Sequence, residues 1–406
     1  MIDRNVIKFG FYGFLKNLQF FEPFIYLYFL AVGLSYFQIG LMLSIREVST
    51  YVFEIPTGVI ADTWGKKRSM LLCFVFYMIS FTIYYLSSTF LLIAAASLLF
   101  GLGEAFRQGT HKAIIFDYLD RQGIPEKKSE VYGFTSSVAK VGSALSAIIA
   151  GGLMLWFRDY HLIFLFSIVP YAAAFLLIFT YPPEKKNYRE NQTVLQSMRT
   201  HVKNSFGNLL NIGNLHRTLV NSAVYDGVFK GVRDFVQPVV RNFMLAAPVL
   251  VFLENEQTRE TIVLSLLYLL ISIIGALCLR NAYRLEKIFA SISKLLNILF
   301  VIQAGLLLLM GWFTGLSLAA VFVVFLILNG INSLRRPVLL SYLVDQIDDK
   351  ERATMLSIES QLKAFTVVLV APLLGWTADF FSLSATFYTA GVIMLLLNLF
   401  FLKFKK

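Results

Sequence analysis

Ionisable side chains stand inside long apolar runs of this sequence, where each one needs a reason. The run near residue 104 carries Glu104, Arg107, His111 and Lys112, and the first three share one face of a helix. A later run carries Asp226, Lys230, Arg233, Asp234, Gln237 and Arg241 at intervals of one to four residues. Lys140 stands alone in its run, Glu359 and Lys363 sit one turn apart in another, and Lys16, Asn17, Gln19 and Glu22 mark the first. A charge in a bilayer costs several kcal/mol unless it faces protein or water. Such residues therefore either neutralise one another or serve a path for a polar solute.

Local pairing accounts for some of them. Asp226–Lys230, Lys230–Asp234 and Glu359–Lys363 have i,i+4 spacing, and Glu104–Arg107 has i,i+3 spacing. Lys140 has no acid one turn away, nor do Arg335 and Arg336 within their own run. Unpaired cations in a dry setting bind carboxylates or phosphates strongly. The reading takes Arg107, Lys140, Lys230, Arg233, Arg335, Arg336 and Lys363 as substrate-binding candidates. A proton carrier needs a carboxyl that titrates in the working range, which burial promotes and a nearby cation opposes. Glu22, beside Pro23 with no cation within four residues, ranks first, Glu104 second and Asp226 third.

The elements that must position these residues are transmembrane helices. Of 406 residues, 57% are hydrophobic and only 15% charged, against about 25% charged in soluble proteins. Apolar runs of about 20 residues recur along the chain, each the length that spans a bilayer as a helix. We read twelve spans, at roughly 10–33, 38–61, 69–89, 91–118, 130–156, 160–181, 215–243, 260–282, 286–311, 316–344, 353–378 and 383–402. Polar residues gather in spans one, four, five, seven, ten and eleven, while three, six, nine and twelve are nearly charge-free. The net charge of +11 collects in alternate loops, which places those loops and both termini in the cytoplasm and removes any need for a nucleic-acid partner. Cys73 and Cys278 lie in apolar runs, which argues against a disulfide framework. No phosphate-cradling loop, zinc-ligand spacing or nucleophile elbow occurs, so neither an enzyme, a cofactor nor a metal site is expected.

One polar stretch, 182–214, divides the chain. It opens with two prolines and then places Val194, Met198, Val202 and Phe206 at helical spacing, as an amphipathic surface helix would. The expected domains are a six-helix bundle over 1–181, this cytoplasmic linker, and a second bundle over 215–406. The halves read as diverged repeats. Tyr118-Leu119 answers Tyr342-Leu343, His111 answers Arg335, Lys140 answers Lys363, and Glu22-Pro23 answers Gln237-Pro238.

Between spans two and three runs Gly58-Val-Ile-Ala-Asp62-Thr-Trp-Gly65-Lys66-Lys67-Arg68. This resembles the signature loop of the major facilitator superfamily, with Thr63 where a cation is common. The resemblance implies an all-α membrane protein of twelve transmembrane helices in two pseudo-symmetric six-helix bundles. It also implies a secondary transporter working by alternating access. Spans one, four, seven and ten would line the central path, with five and eleven flanking it. Gly58, Asp62, Gly65, Lys66, Lys67, Arg68 and Asp117 would form the cytoplasmic gate, with Glu54 beside it. The expected partners are a small-molecule substrate, protons and membrane lipids, with the chain a monomer in the bacterial inner membrane. Two functions stand open: export of a small organic anion, zwitterion or amphiphile by proton antiport, and uptake or exchange of a nutrient anion. A receptor that does not transport is the remote third.

The topology makes a prediction for intact cells. Single cysteines at Lys127, Gln192 and Asp349 will be shielded from an impermeant thiol reagent, and those at Asp159 and Glu256 will label. Labelling reversed at either external site would remove the twelve-span arrangement.

Overall fold

A computed structural model describes residues 3–183, 215–246, 253, 255–289, 291–346 and 352–403. Every regular element among them is helical. The expected amphipathic linker helix, with Val194, Met198, Val202 and Phe206, lies outside the described residues.

The first half begins with α1 (Arg4–Lys16), whose N-terminus is capped by Asp3. The expected first span is not one helix. Asn17 ends α1, a 3₁₀ turn follows at Glu22–Phe24, and α2 (Ile25–Ala31) completes the crossing. Pro23 lacks the amide that would continue the α1 ladder and sits where a new turn begins. The seventh span breaks in the same way: α9 (Leu215–Val232), a 3₁₀ turn at Arg233–Phe235, then α10 (Val236–Ala246) with Pro238 in its first turn. Backbone breaks at membrane depth are tolerated where they are buried in protein or line a watered path.

Between them run α3 (Tyr36–Trp64), α4 (Lys66–Leu86), α5 (Phe90–Arg107), α6 (Thr110–Arg121), α7 (Lys128–Phe157) and α8 (Tyr160–Phe179). The fourth span is thus also divided, at Gly109. Its φ of 75° is left-handed, which only glycine adopts without strain. The second half continues with α11 (Glu256–Ile288), α12 (Ile292–Phe313), α13 (Leu318–Gln346), α14 (Arg352–Phe380) and α15 (Leu383–Lys403). Among the described residues, eight helical stretches are long and apolar enough to cross a membrane on length and composition alone. Spans one and seven are broken, and the described apolar stretch of span twelve, Leu383–Leu399, is shorter. Span two, although 29 residues long, carries Arg46, Glu47 and Glu54.

The helices gather into two compact units. The first is cored by aromatic rings: Phe21, Phe81 and Phe164 interlock with Tyr77 and Tyr171, all buried. In the second, Leu219, Leu295, Leu296, Val338, Leu339 and Ile358 form an aliphatic core. Two segments cross over from their own half. Gly33–Ser44, including the start of α3, belongs to the second unit, and Leu264–Ser272 of α11 belongs to the first.

The start of α3 is held within its unit by backbone contact with α14. Both carboxylate oxygens of Asp379 accept hydrogen bonds from the first amides of α3, Tyr36 N at 2.9 Å and Phe37 N at 2.8 Å. A carboxylate at a helix N-terminus satisfies orphan amides and opposes the helix dipole. Two glycines let the helices touch. A Cβ at Gly375 would lie 2.2 Å from the Tyr36 carbonyl oxygen, and one at Gly40 would lie 2.4 Å from that of Ala371. Ser44 Oγ adds a bond to the Val368 carbonyl oxygen at 3.1 Å.

Because those neighbours are backbone, they cannot swing aside. Gly375→Ala is expected to destabilise the protein by about 1–3 kcal/mol, read as a lowered unfolding midpoint in detergent. Gly58→Ala, where an added Cβ meets nothing within 4 Å, will not lower it. Equal midpoints for Gly375→Ala and the parent would show that the α3–α14 contact is looser than described.

Candidate functional site

In the first unit the charged residues converge on Glu104, in the last turn of α5. Its Oε2 accepts from Arg107 Nη2 at 2.5 Å and Nε at 3.2 Å, a two-pronged pair within one helix turn. Its Oε1 accepts from the Tyr77 hydroxyl at 2.5 Å and lies 3.7 Å from Lys16 Nζ. Lys16 is the last residue of α1, where a cation also meets the negative end of the helix dipole. Arg46, its guanidinium stacked 4.0 Å above the Phe100 ring, acts on the same carboxylate through space. Two cations thus pair with one acid, with a third on the neighbouring α3. Sequence reasoning paired Glu104 with Arg107 but missed Tyr77 and Arg46, which arrive from α4 and α3.

His111 serves packing here. It stacks on Tyr12 with centroids 3.8 Å apart, and its Nε2 lies 3.0 Å from the Tyr181 hydroxyl oxygen. Lys140, part-way along α7 and half-buried, makes no ion pair among the described residues. Glu22 is half-buried at the head of the 3₁₀ turn that breaks the first span.

The second unit holds a denser cluster, and its pairing differs from the local one expected. Asp226 of α9 does not pair with Lys230 one turn away. It faces Lys363 Nζ from α14 at 3.4 Å, Arg336 Nη1 from α13 at 3.3 Å and Arg335 Nη1 at 3.9 Å. Glu359 likewise does not pair with Lys363. It accepts from Arg336 Nη1 at 2.8 Å and from the Ser222 hydroxyl at 3.0 Å. Cross-helix pairing wins because the opposing side chains of three packed helices approach closely in a low-dielectric interior, where attraction is strong. It also answers the sequence argument that Arg335 and Arg336 lack acids, since both face Asp226 from another helix. Lys230 and Arg233 are each half-buried, the latter on Asp234 at 2.9 Å.

Arg335 is fully buried and clamped. Its Nη2 donates to Asn221 Oδ1 at 2.9 Å, and its guanidinium carbon lies 3.9 Å above the Tyr225 ring. Arg336, by contrast, leaves 43% of its side chain exposed while both of its acids are buried. Asn221, Ser222 and Glu359 are members of this cluster that sequence reasoning did not select. The signal for the first two was their position one turn before Tyr225 and Asp226 on a polar face.

The signature loop closes on its own unit. Gly65 takes a φ of 100° to start α4. The Lys66 ammonium sits on the Asp117 carboxylate. Lys67 Nζ donates to the carbonyl oxygens of Phe179 at 2.8 Å and Tyr181 at 3.2 Å, capping the C-terminus of α8. Asp62 and Arg68 are exposed, and Gly58 lies within α3.

Residues 11–282 match the family model of the Major Facilitator Superfamily, and the chain belongs to that family. It is therefore a multi-pass membrane protein with the major facilitator fold. Among curated relatives, an uncharacterized MFS-type transporter, YxaM of Bacillus subtilis (strain 168), is 28% identical over 90 residues, 22% of this chain and 23% of the relative. The hexuronate transporter of the same organism is 24% identical over 139 residues, 34% of this chain and 32% of the relative. The chain thus matches under half the length of these relatives. Among solved structures, the nucleoside transporter NupG superposes with a TM-score of 0.80 at 12% identity, covering 100% of both chains.

Tyr77 supplies a test of the first cluster. Its hydroxyl is fully buried against Glu104, and a hydrogen bond to a charged group is worth about 1.5–3 kcal/mol. Tyr77→Phe is expected to lower the unfolding midpoint accordingly. An unchanged midpoint would mean that Glu104 is satisfied by its cations alone.

Proposed function

We propose that the chain carries a small organic anion, or a zwitterion presenting an anionic group, across the membrane by alternating access. The observation that carries this reading is the excess of cations within each cluster. Among the described residues, Lys16 and Arg107 both pair with Glu104, and Arg335, Arg336 and Lys363 face the two acids Asp226 and Glu359. A desolvated site with surplus positive charge favours a carboxylate or phosphate, and arginine offers it two hydrogen bonds. The hexuronate transporter named above handles a carboxylate by its title, which agrees.

Lys140, which makes no ion pair among the described residues, and Lys363 stay as proposed substrate contacts, as do Arg107, Lys230, Arg233 and Arg336. Arg335 serves as a fixed source of positive field. Protons are the proposed coupling ion, with Glu22 and Glu104 as candidate carriers in the first unit. Export by antiport, the first reading of the sequence, requires proton and substrate to compete for one site. An anion and a proton do not compete: each relieves the charge left by the other. The paired acids therefore favour the second reading, entry of an anion together with a proton. The proposed setting is the bacterial inner membrane, with both termini cytoplasmic and a monomer in contact with anionic lipid. Lys66, Lys67, Arg68, Asp62 and Asp117 would hold the cytoplasmic gate.

Purified protein in liposomes tests this. Counterflow is measured with a panel of monocarboxylates, hexuronates, nucleosides and inorganic phosphate. At least one anion is expected to exchange, and Lys140→Gln and Lys363→Gln are each expected to raise its half-saturation about tenfold, a loss of roughly 1.4 kcal/mol. Exchange of neutral nucleosides alone, or unchanged saturation in both variants, would remove the anion reading.

A further inference from the structure

The second cluster has an asymmetry that assigns a role to a residue not yet given one. Its two acids share one cation: Arg336 Nη1 lies 2.8 Å from Glu359 Oε1 and 3.3 Å from Asp226 Oδ2. The acids are unequally supported without it. Asp226 keeps Lys363 at 3.4 Å and Arg335 at 3.9 Å. Glu359 keeps the Ser222 hydroxyl at 3.0 Å and no other ion pair among the described residues. The charged groups around Glu359 are Asp226 on α9, with Lys230 one turn further along, Arg335 and Arg336 on α13, and Lys363 on its own helix. Arg335 acts on Glu359 through space but stays clamped by Asn221 and Tyr225.

Exposure sets which of these a ligand can reach. Arg336 leaves 43% of its side chain open, whereas Arg335 and Glu359 are 1% and 2% open. An entering anion therefore meets Arg336 first. A guanidinium that turns to bind a carboxylate through two hydrogen bonds gives up the oxygen of Glu359. The buried carboxylate is then left without a paired cation, a state that proteins avoid by protonation.

Resting on the anion reading above, we propose that Arg336 and Glu359 form the exchange pair of the transporter. The substrate's anionic group takes Arg336, and Glu359 takes a proton from the solvent in its place. Charge balances at the pair: one negative charge arrives with the substrate and one positive charge with the proton. No covalent bond changes except the O–H formed on Glu359. Asp226 keeps its contacts with Lys363 and Arg335 throughout. The carrier in this unit is thus Glu359, which stood outside the candidates drawn from the sequence. Its geometry requires anion and proton to load together and to leave together.

The pair can be tested without knowing the substrate, because Arg336→Gln imitates withdrawal of the guanidinium. Infrared difference spectra of the purified full-length protein at neutral pH are expected to show one new C=O stretch of a protonated carboxyl in Arg336→Gln. Adding Glu359→Gln will abolish that band, and adding Asp226→Asn will leave it. No new band, or a band removed by Asp226→Asn and not by Glu359→Gln, would overturn the proposal. Should Arg336→Gln not yield folded protein, Glu359→Gln in the same chain must restore it, since the unpaired acid is then the cause. Restoration by Asp226→Asn in its place would overturn the proposal. The anion reading fails separately: the infrared result can stand while no carboxylate or phosphate in the panel exchanges, and the reverse can also occur.

Discussion

Charge buried in hydrocarbon governs this structure. An unpaired ion inside a protein costs several kcal/mol even after relaxation, and removing one partner of a buried pair costs about 3–5 kcal/mol. Each cation in the cluster regions must therefore be met by an acid, an aromatic face or water. Arg46 uses the Phe100 ring, Arg335 the Tyr225 ring and Asn221, and Arg107 the Glu104 carboxylate. Pairing that is complete would make these sites inert. Among the described residues acids are shared and outnumbered, so the proposed binding of an anion would continue the same electrostatics that stabilises the empty protein.

Backbone irregularity cooperates with charge. The first span of each half breaks at a 3₁₀ turn, Glu22–Phe24 and Arg233–Phe235, each close to a proline. The charged residues Glu22, Arg233 and Asp234 stand at those breaks. An intact helix would present one stripe to the interior, while a broken one re-aims its side chains over a short distance. The Gly109 break does the same for span four, separating Glu104 and Arg107 on α5 from His111 on α6.

Much of the fold was legible because apolar length and charge asymmetry report directly on the bilayer. The spans that the sequence gives cleanly, such as Lys66–Leu86 and Tyr160–Phe179, are those whose helices are continuous and nearly charge-free. The broken spans were read as single helices, although Asn17, Pro23 and Pro238 were visible, because local propensity does not say which irregularities the tertiary structure will tolerate. Site membership was partly legible, since intramembrane charge is rare enough to mark itself. Pairing was not. Spacing of three or four residues predicted Asp226–Lys230 and Glu359–Lys363, yet the acids look across to α13 and α14. Pairing depends on helix rotation, which no single helix encodes. Lys140 and Lys363, matched as repeat equivalents, differ for the same reason: Lys363 meets Asp226, and Lys140 meets no acid among the described residues.

The central claim is that anion and proton enter together and cancel in charge at the Arg336–Glu359 pair. It is tested most directly by comparing driving forces for the exchanging anion in liposomes. The account predicts, for a monovalent anion, accumulation under an imposed pH gradient, acid outside, and no accumulation under a membrane potential of either sign at equal pH. Accumulation driven by potential alone, with no response to the pH gradient, would contradict it.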